Sequence, residues 1–289
     1  MTFQKIKLTF LPLLVCSIII GIIAISFLYI FNWAILVETY QTHEGTLTIV
    51  ITIGIRVFLV SLMAIYTFYR WFKQEKQYFS DIPFLFGIFF LLLIFGKLLD
   101  LFIDFSYFQL DQELLLLVMK ARYLIAILNL LPMMSLSIFM ILFSLSLRQR
   151  FKRLNNENTL NTVRTWILII IVAIEIIVDI FVLTIENSPI IYPITILPSL
   201  IAIVWLFNFA WRNQRLSQVN TFILMIGFGF YLITSILRPI IQFIVGESSL
   251  FVIIAESIDI FIFITIFTGL YKKSNYLIKK ELKMEEFVE

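Results

Sequence analysis

The sequence predicts an all-α protein: a polytopic integral membrane helix bundle of about eight transmembrane helices, with both termini cytoplasmic. Three observations predict it. Of 289 residues, 61% are hydrophobic and 14% charged, where a soluble domain carries about 25% charged residues. Apolar runs of 18 or more residues recur along the whole chain, and mean hydropathy is +1.01. Basic connections alternate strictly with acidic ones.

A helix rises about 1.5 Å per residue, so about 20 apolar residues cross a ~30 Å hydrocarbon core. Runs of this kind cover residues 8–32, 47–70, 82–105, 122–147, 164–186, 189–211, 219–245 and 249–271. The first follows a basic start, as a signal peptide would, but it is too long for one and no small-residue cleavage site follows, so it reads as a retained helix. Asp111 suits an N-cap, which starts the fourth helix above the membrane. The division between the fifth and sixth rests on Asn187-Ser188-Pro189, which is turn chemistry with a proline suited to the next first turn. Pro132 is expected to kink the fourth helix, and Pro193 and Pro198 the sixth. The two glycines of Gly227-Phe228-Gly229 suit close helix packing.

Orientation follows from the short loops. Residues 70–77, 148–153, 212–215 and 271–280 are rich in Lys and Arg. The loops between hold Glu38 and Glu44, Asp111 and Glu113, Glu186, and Glu247. The positive-inside rule places the basic loops in the cytoplasm. Trp71, Trp166 and Trp211 fall at cytoplasmic ends and Trp33 at an outer end, as an aromatic belt requires. The bundle occupies residues 1–271, and residues 272–289 form a short charged cytoplasmic tail. The third and seventh helices each carry a cation in their outer portion, which a 4+4 repeat over 1–155 and 156–271 would produce.

Composition also excludes functions. One cysteine, Cys16, permits no intrachain disulfide, and with one histidine, His43, it makes no His/Cys zinc site. No glycine-rich phosphate loop is present, and no cofactor, catalytic triad or nucleic-acid partner is expected. His43 reads as a loop residue.

The functional signal is charge inside the membrane. Measured down from the outer helix end, Asp100 lies about 8 Å deep, Asp179, Arg238 and Glu256 about 10 Å, Lys97 about 12 Å, Arg56 about 14 Å, Asp259 about 15 Å and Glu175 about 16 Å. Asp104, Lys120 and Arg122 sit nearer the rim. Apart from Arg70 and Arg164 at the very ends, the cytoplasmic halves hold no charge. Lys97/Asp100 and Glu256/Asp259 are i,i+3 and Glu175/Asp179 i,i+4, so each pair shares a helix face, and that face must turn inward. Three cations oppose five carboxylates in the deep layer, so a carboxyl is protonated or a cation is held.

These residues predict a polar cavity open to the outside, lined by the eight deep charges and closed below by apolar packing. Three functions fit. A receptor or sensor would bind a small polar or cationic ligand from the outer side and signal to a cytoplasmic protein partner. A proton- or cation-coupled secondary transporter would need a path through the inner half, where only scattered residues such as Ser61, Ser144, Ser146, Asn208 and Thr268 are polar. A membrane-embedded acid/base enzyme would use a carboxylate pair. The receptor reading is favoured, in the plasma membrane with the lipid bilayer as its surroundings.

The orientation is tested by cysteine labelling in a Cys16→Ser background. Cysteines at Glu44, Asp111 and Glu247 are expected to react with an impermeant thiol reagent from outside, and those at Lys76, Asn156 and Gln214 are not. A reversed pattern places the charged layer on the cytoplasmic side.

Overall fold

The computed structural model of the chain describes residues 3–42, 45–75, 77–78, 80–107, 109–182, 184, 188–216, 218–245 and 249–272. Among these residues all regular structure is helical. The helices are α1 (Phe3–Phe31), α2 (Trp33–Thr42), α3 (Thr46–Phe72), α4 (Ile82–Ser106), α5 (Gln112–Ser146), α6 (Glu157–Phe181), α7 (Ser188–Arg212), α8 (Thr221–Val245) and α9 (Ser249–Tyr271), with a short 3-10 segment at Gln149–Asn155. In hydrocarbon each backbone N–H and C=O must be satisfied within its own segment, which is why the apolar runs form helices.

Six helices are long and apolar enough to cross a membrane: Pro12–Phe31 of α1, α3, α4, α5, Thr221–Arg238 of α8, and α9. α7 adds a shorter apolar stretch, Ile196–Arg212, and α6 is not among the six. The outward faces suit lipid. Ile20, Phe58, Ile65 and Phe261 are 63–66% exposed, on three different helices, and large exposed apolar surface marks a partner or membrane contact. The chain is therefore an integral membrane protein built of helices.

The helices overlap the expected runs, of which six have the length and apolarity of a crossing, and they differ in detail. α2 was not anticipated. Asn32 separates it from α1 by donating its side-chain amide to the Leu28 carbonyl, 2.9 Å away, the kind of local competition that ends a helix. α5 starts at Gln112, directly after Asp111 as the N-cap reading requires, and continues through Pro132. Trp71 is fully buried, its indole N–H donating to the Tyr78 carbonyl at 3.1 Å, so it is not a belt residue. Trp33, Trp166 and Trp211 are exposed. His43, Glu44, Glu186, Asn187, Glu247 and the tail 273–289 lie outside the described residues, and with them part of the acidic outer loops, of the expected turn before Pro189 and of the charged tail.

The chain forms two compact units. One comprises Met1–Pro132, Ile176–Pro189 and Glu247–Glu256. Its centre is the α3–α4 hairpin. The Phe68 ring lies over Gly87, where a Cβ would come within 2.8 Å of it, and Trp71 and Phe68 both pack on Phe84. Gln77 ends the hairpin's first arm by donating to the carbonyls of Trp71, Phe72 and Gln74, occupying acceptors that a helix C-terminus leaves open. α1 and α2 pack along α4: Tyr29 donates to the Leu98 carbonyl and Thr39 to that of Phe105, both at 2.8 Å. Asn129 of α5 donates to the Phe89 carbonyl of α4 at 2.5 Å, a buried polar tie between helices.

The second unit comprises Met133–Glu175, Ile190–Gly246 and Ser257–Glu289. Here α8 and α9 approach through reciprocal glycines. A Cβ on Gly227 would lie 2.6 Å from Ile266 Cγ1, and one on Gly269 would lie 3.0 Å from the Leu224 backbone nitrogen. The Asn220 N–H donates to the Gly269 carbonyl at 2.8 Å beside that contact. Gly229 faces open space, so only the first glycine of the expected pair serves packing. Asn156 and Asn220 cap α6 and α8, their side-chain oxygens accepting from the Asn158 and Ile223 N–H groups.

Gly269→Ala is expected to destabilise the protein by about 1–3 kcal/mol, since backbone cannot yield as a side chain can. Gly229→Ala should leave stability unchanged or raise it. Thermal unfolding in one detergent compares the two.

Candidate functional site

Of the eleven residues singled out along the sequence, five form one ion-pair cluster, and all five belong to the first unit. α3 contributes Arg56, α4 contributes Lys97 and Asp100, α5 contributes Arg122 and α9 contributes Glu256. The Glu256 carboxylate is the hub. Its Oε2 accepts from Arg56 Nη1 at 2.6 Å and its Oε1 from Lys97 Nζ at 2.6 Å. Lys97 lies 4.0 Å from Asp100 Oδ2. Asp100 in turn receives Arg122 through two parallel bonds, Nε to Oδ1 at 2.5 Å and Nη2 to Oδ2 at 3.0 Å. This is the bidentate fork that makes guanidinium–carboxylate pairs strong and directional.

Burial is graded along the cluster. Side-chain exposure is 3% at Glu256, 7% at Lys97 and 8% at Arg56, then 29% at Asp100 and 31% at Arg122. The inner three charges are buried, and the Asp100–Arg122 pair is the more exposed end. Gly96 lies beside that end, where a Cβ would sit in ordinary contact with the Arg122 guanidinium carbon at 3.4 Å. Arg122, assigned to the rim from its position in the helix, thus holds the acid of the deep layer directly. Among these five, three cations meet two carboxylates, the reverse of the balance counted along the sequence.

The other candidates fall elsewhere. In the second unit Arg238 Nη2 pairs with Asp259 Oδ2 at 2.7 Å, the acid buried and the arginine half-buried. Also there, Glu175 is buried against Ser199, whose hydroxyl donates to Oε1 at 3.3 Å. Glu175, Glu256 and Asp259 thus each contact a different partner. Asp179 is half-buried on α6 and Asp104 exposed on α4. Lys120 donates to the Ile180 carbonyl at 3.3 Å, in the last turn of α6, where a helix leaves acceptors unused and favours a cation. No group of three or more metal-ligating side chains occurs among the described residues.

Sequence reasoning missed Ser199, Asn129 and Tyr29. Asn129 carried a signal, a single amide within an apolar run. The other two carried none, since a hydroxyl on an apolar helix finds its own backbone as readily as a neighbour.

Compared with protein-family models, with curated proteins and with solved structures, the chain matches none. Its class rests on its own helices and its site on its own geometry.

Removing Glu256 leaves two buried cations facing one another, whereas removing Lys97 leaves Glu256 still paired with Arg56. Glu256→Leu is therefore expected to cost more than Lys97→Met, about 3–5 kcal/mol against less. The double variant should lose less than the sum, because the two residues share one interaction. Denaturation in detergent measures all three; strict additivity would show that the pair does not couple.

Proposed function

We propose that the protein is a small-ligand receptor or sensor of the cell membrane, spanning it eight times with both termini in the cytoplasm and passing its signal to a separate cytoplasmic protein. The observation that carries this reading is the grading of the ion-pair cluster. Glu256 with Arg56 and Lys97 makes a buried foundation, and Asp100 with Arg122 makes an outer pair open to exchange. Charges inside a bilayer are costly and are retained where they act. Helices could be held together by small residues at lower cost, as Gly227 and Gly269 hold α8 to α9.

The outer pair also suggests the ligand's chemistry. Opening a carboxylate–guanidinium pair leaves both members in need of a partner. A small zwitterion supplies an ammonium for Asp100 and a carboxylate for Arg122 in one molecule. Its binding would separate α4 from α5, and Lys97 on α4 would carry that shift to Glu256 on α9.

A receptor fits better than a transporter. Ser61, Ser146 and Thr268, polar residues of the inner halves, give their hydroxyls to carbonyls of their own helices at 2.7–2.8 Å. Donors satisfied within their own helices are not left seeking a solute along the inner half.

The test is ligand-induced thermal stabilisation in nanodiscs, screening amino acids against simple amines and simple carboxylates. A zwitterion is expected to stabilise saturably, with the effect lost in Asp100→Asn and in Arg122→Gln and kept in Glu75→Gln, an exposed loop change. If both cluster variants respond as the parent does, the pair is structural and the receptor site lies elsewhere.

A further inference from the structure

At one end of the second unit the α5–α6 and α7–α8 connections come together, since Arg215 of the latter reaches Phe143 near the end of α5. Both connections are basic. Arg148 and the 3-10 segment after it expose Arg148, Arg150, Lys152 and Arg153, and Arg215 is exposed as well. Arg164 is half-buried in the second turn of α6. Against these cations, residues 147–165 and 211–221 contain one acid, Glu157. None of the six makes an ion pair among the described residues, whereas Arg56, Lys97, Arg122 and Arg238 all do. The receptor reading makes no use of this end.

Two of the arginines rest on aromatic rings. The Arg164 guanidinium carbon lies 5.8 Å from the centre of the Phe139 ring, and that of Arg215 lies 5.7 Å from the centre of Phe143. The two rings stack, with centres 6.3 Å apart and planes 16° apart. A ring face attracts a guanidinium within about 6 Å and uses none of its N–H donors. Neither guanidinium donates a hydrogen bond among the described residues. Stacked on a ring and bare at its edge, a guanidinium is suited to grip a phosphate by parallel bonds. The backbone beside Arg215 is strained. Gln214 and Leu216 take left-handed φ values of 52° and 56°, which residues with a Cβ disfavour. Gln214 closes α7 in this way, with the Arg215 N–H donating to the Ala210 carbonyl at 2.8 Å. Leu216 has no such role, and strain of this kind is kept where placement matters.

The neighbours of these arginines indicate which phosphate. Trp166 follows Arg164 by two residues, Trp211 precedes Arg215 by four, and both indoles are exposed, as is Leu147 beside the 3-10 segment. Exposed indoles on membrane helices sit at headgroup depth, which puts the arginines level with lipid phosphates. A soluble phosphate would leave these apolar side chains uncovered, whereas a lipid brings acyl chains to them. Basic sites between helix ends hold anionic headgroups in this manner. We propose that Arg164 and Arg215, stacked on Phe139 and Phe143, form the headgroup site of an anionic phospholipid, and that the cations of the 3-10 segment draw the lipid in. The site is distinct from the Asp100–Arg122 pair.

The experiment is thermal unfolding of the full chain in phosphatidylcholine nanodiscs with increasing phosphatidylglycerol at constant ionic strength, the lipid retained on transfer to detergent being counted by native mass spectrometry. Nanodiscs carry the lipid in both leaflets, so the result does not depend on which way the protein faces. Phosphatidylglycerol is expected to raise the melting temperature saturably and to remain as a bound adduct. Arg164→Gln and Arg215→Gln should each raise the half-saturating lipid fraction about fivefold, and the double variant should lose the adduct. Lys73→Gln, which removes a cation stacked on Tyr69 in the first unit, should keep the parent's response. In phosphatidylcholine alone Arg215→Gln should melt as the parent does, because the side chain is exposed, so a lost lipid response is not a lost fold. Equal stabilisation by soluble glycerol phosphate, the same loss in Lys73→Gln, or an unchanged adduct in the double variant overturns the proposal.

Discussion

The carboxylate of Glu256 is the constraint on which the first unit depends. It stands 159 residues from Lys97 and 200 from Arg56, and it meets both at 2.6 Å. Three helices, α3, α4 and α9, are thereby tied through one buried group. The arrangement is stable only as a whole. A buried ion pair gains little over an apolar pair of the same shape, but a buried charge deprived of its partner is a large penalty. A packing that parted Glu256 from Arg56 and Lys97 would leave buried charge without its partner, so the cluster disfavours such arrangements even where it adds little net stability.

Around that centre the rest is ordinary close packing adapted to lipid. The hydrophobic effect does not press helices together inside a bilayer, so contact area and polar ties must do so. The Phe68 ring over Gly87, the Asn129 amide on the Phe89 carbonyl and the Tyr29 hydroxyl on the Leu98 carbonyl are ties of this kind in the first unit. The glycine contacts of α8 with α9 and the Arg238–Asp259 pair are their counterparts in the second. The tie at Asp100 and Arg122 differs from these in being half-exposed.

The helices were legible in the sequence because a bilayer writes them in a simple code of about 20 apolar residues between turn signals. α2 was not, because its ten residues mix Leu36 and Ile35 with Glu38, Thr39 and Gln41 and fall short of any spanning length. Depth was also legible, since helix rise converts position into distance, and it placed Lys97 and Glu256 at similar levels. Which face meets which is a property of tertiary packing, and depth alone cannot supply it. Hence Arg122 read as a rim residue although it pairs directly with Asp100. Trp71 shows the same limit: its position suits a membrane interface, and its burial against Phe84 depends on the turn of the α3–α4 hairpin.

The account's central claim is that the Arg56–Glu256–Lys97 core is closed to water and fixed while the Asp100–Arg122 pair exchanges. Arginine side-chain nitrogens report this directly. In nanodiscs with 15N-labelled arginine, assigned through Arg56→Lys and Arg122→Lys, the account predicts slow solvent exchange and hindered guanidinium rotation at Arg56, and faster exchange at Arg122. Glu256→Gln should release Arg56 to the faster regime. Arg56 exchanging as rapidly as the loop arginines Arg148 and Arg150 in the parent protein would contradict it.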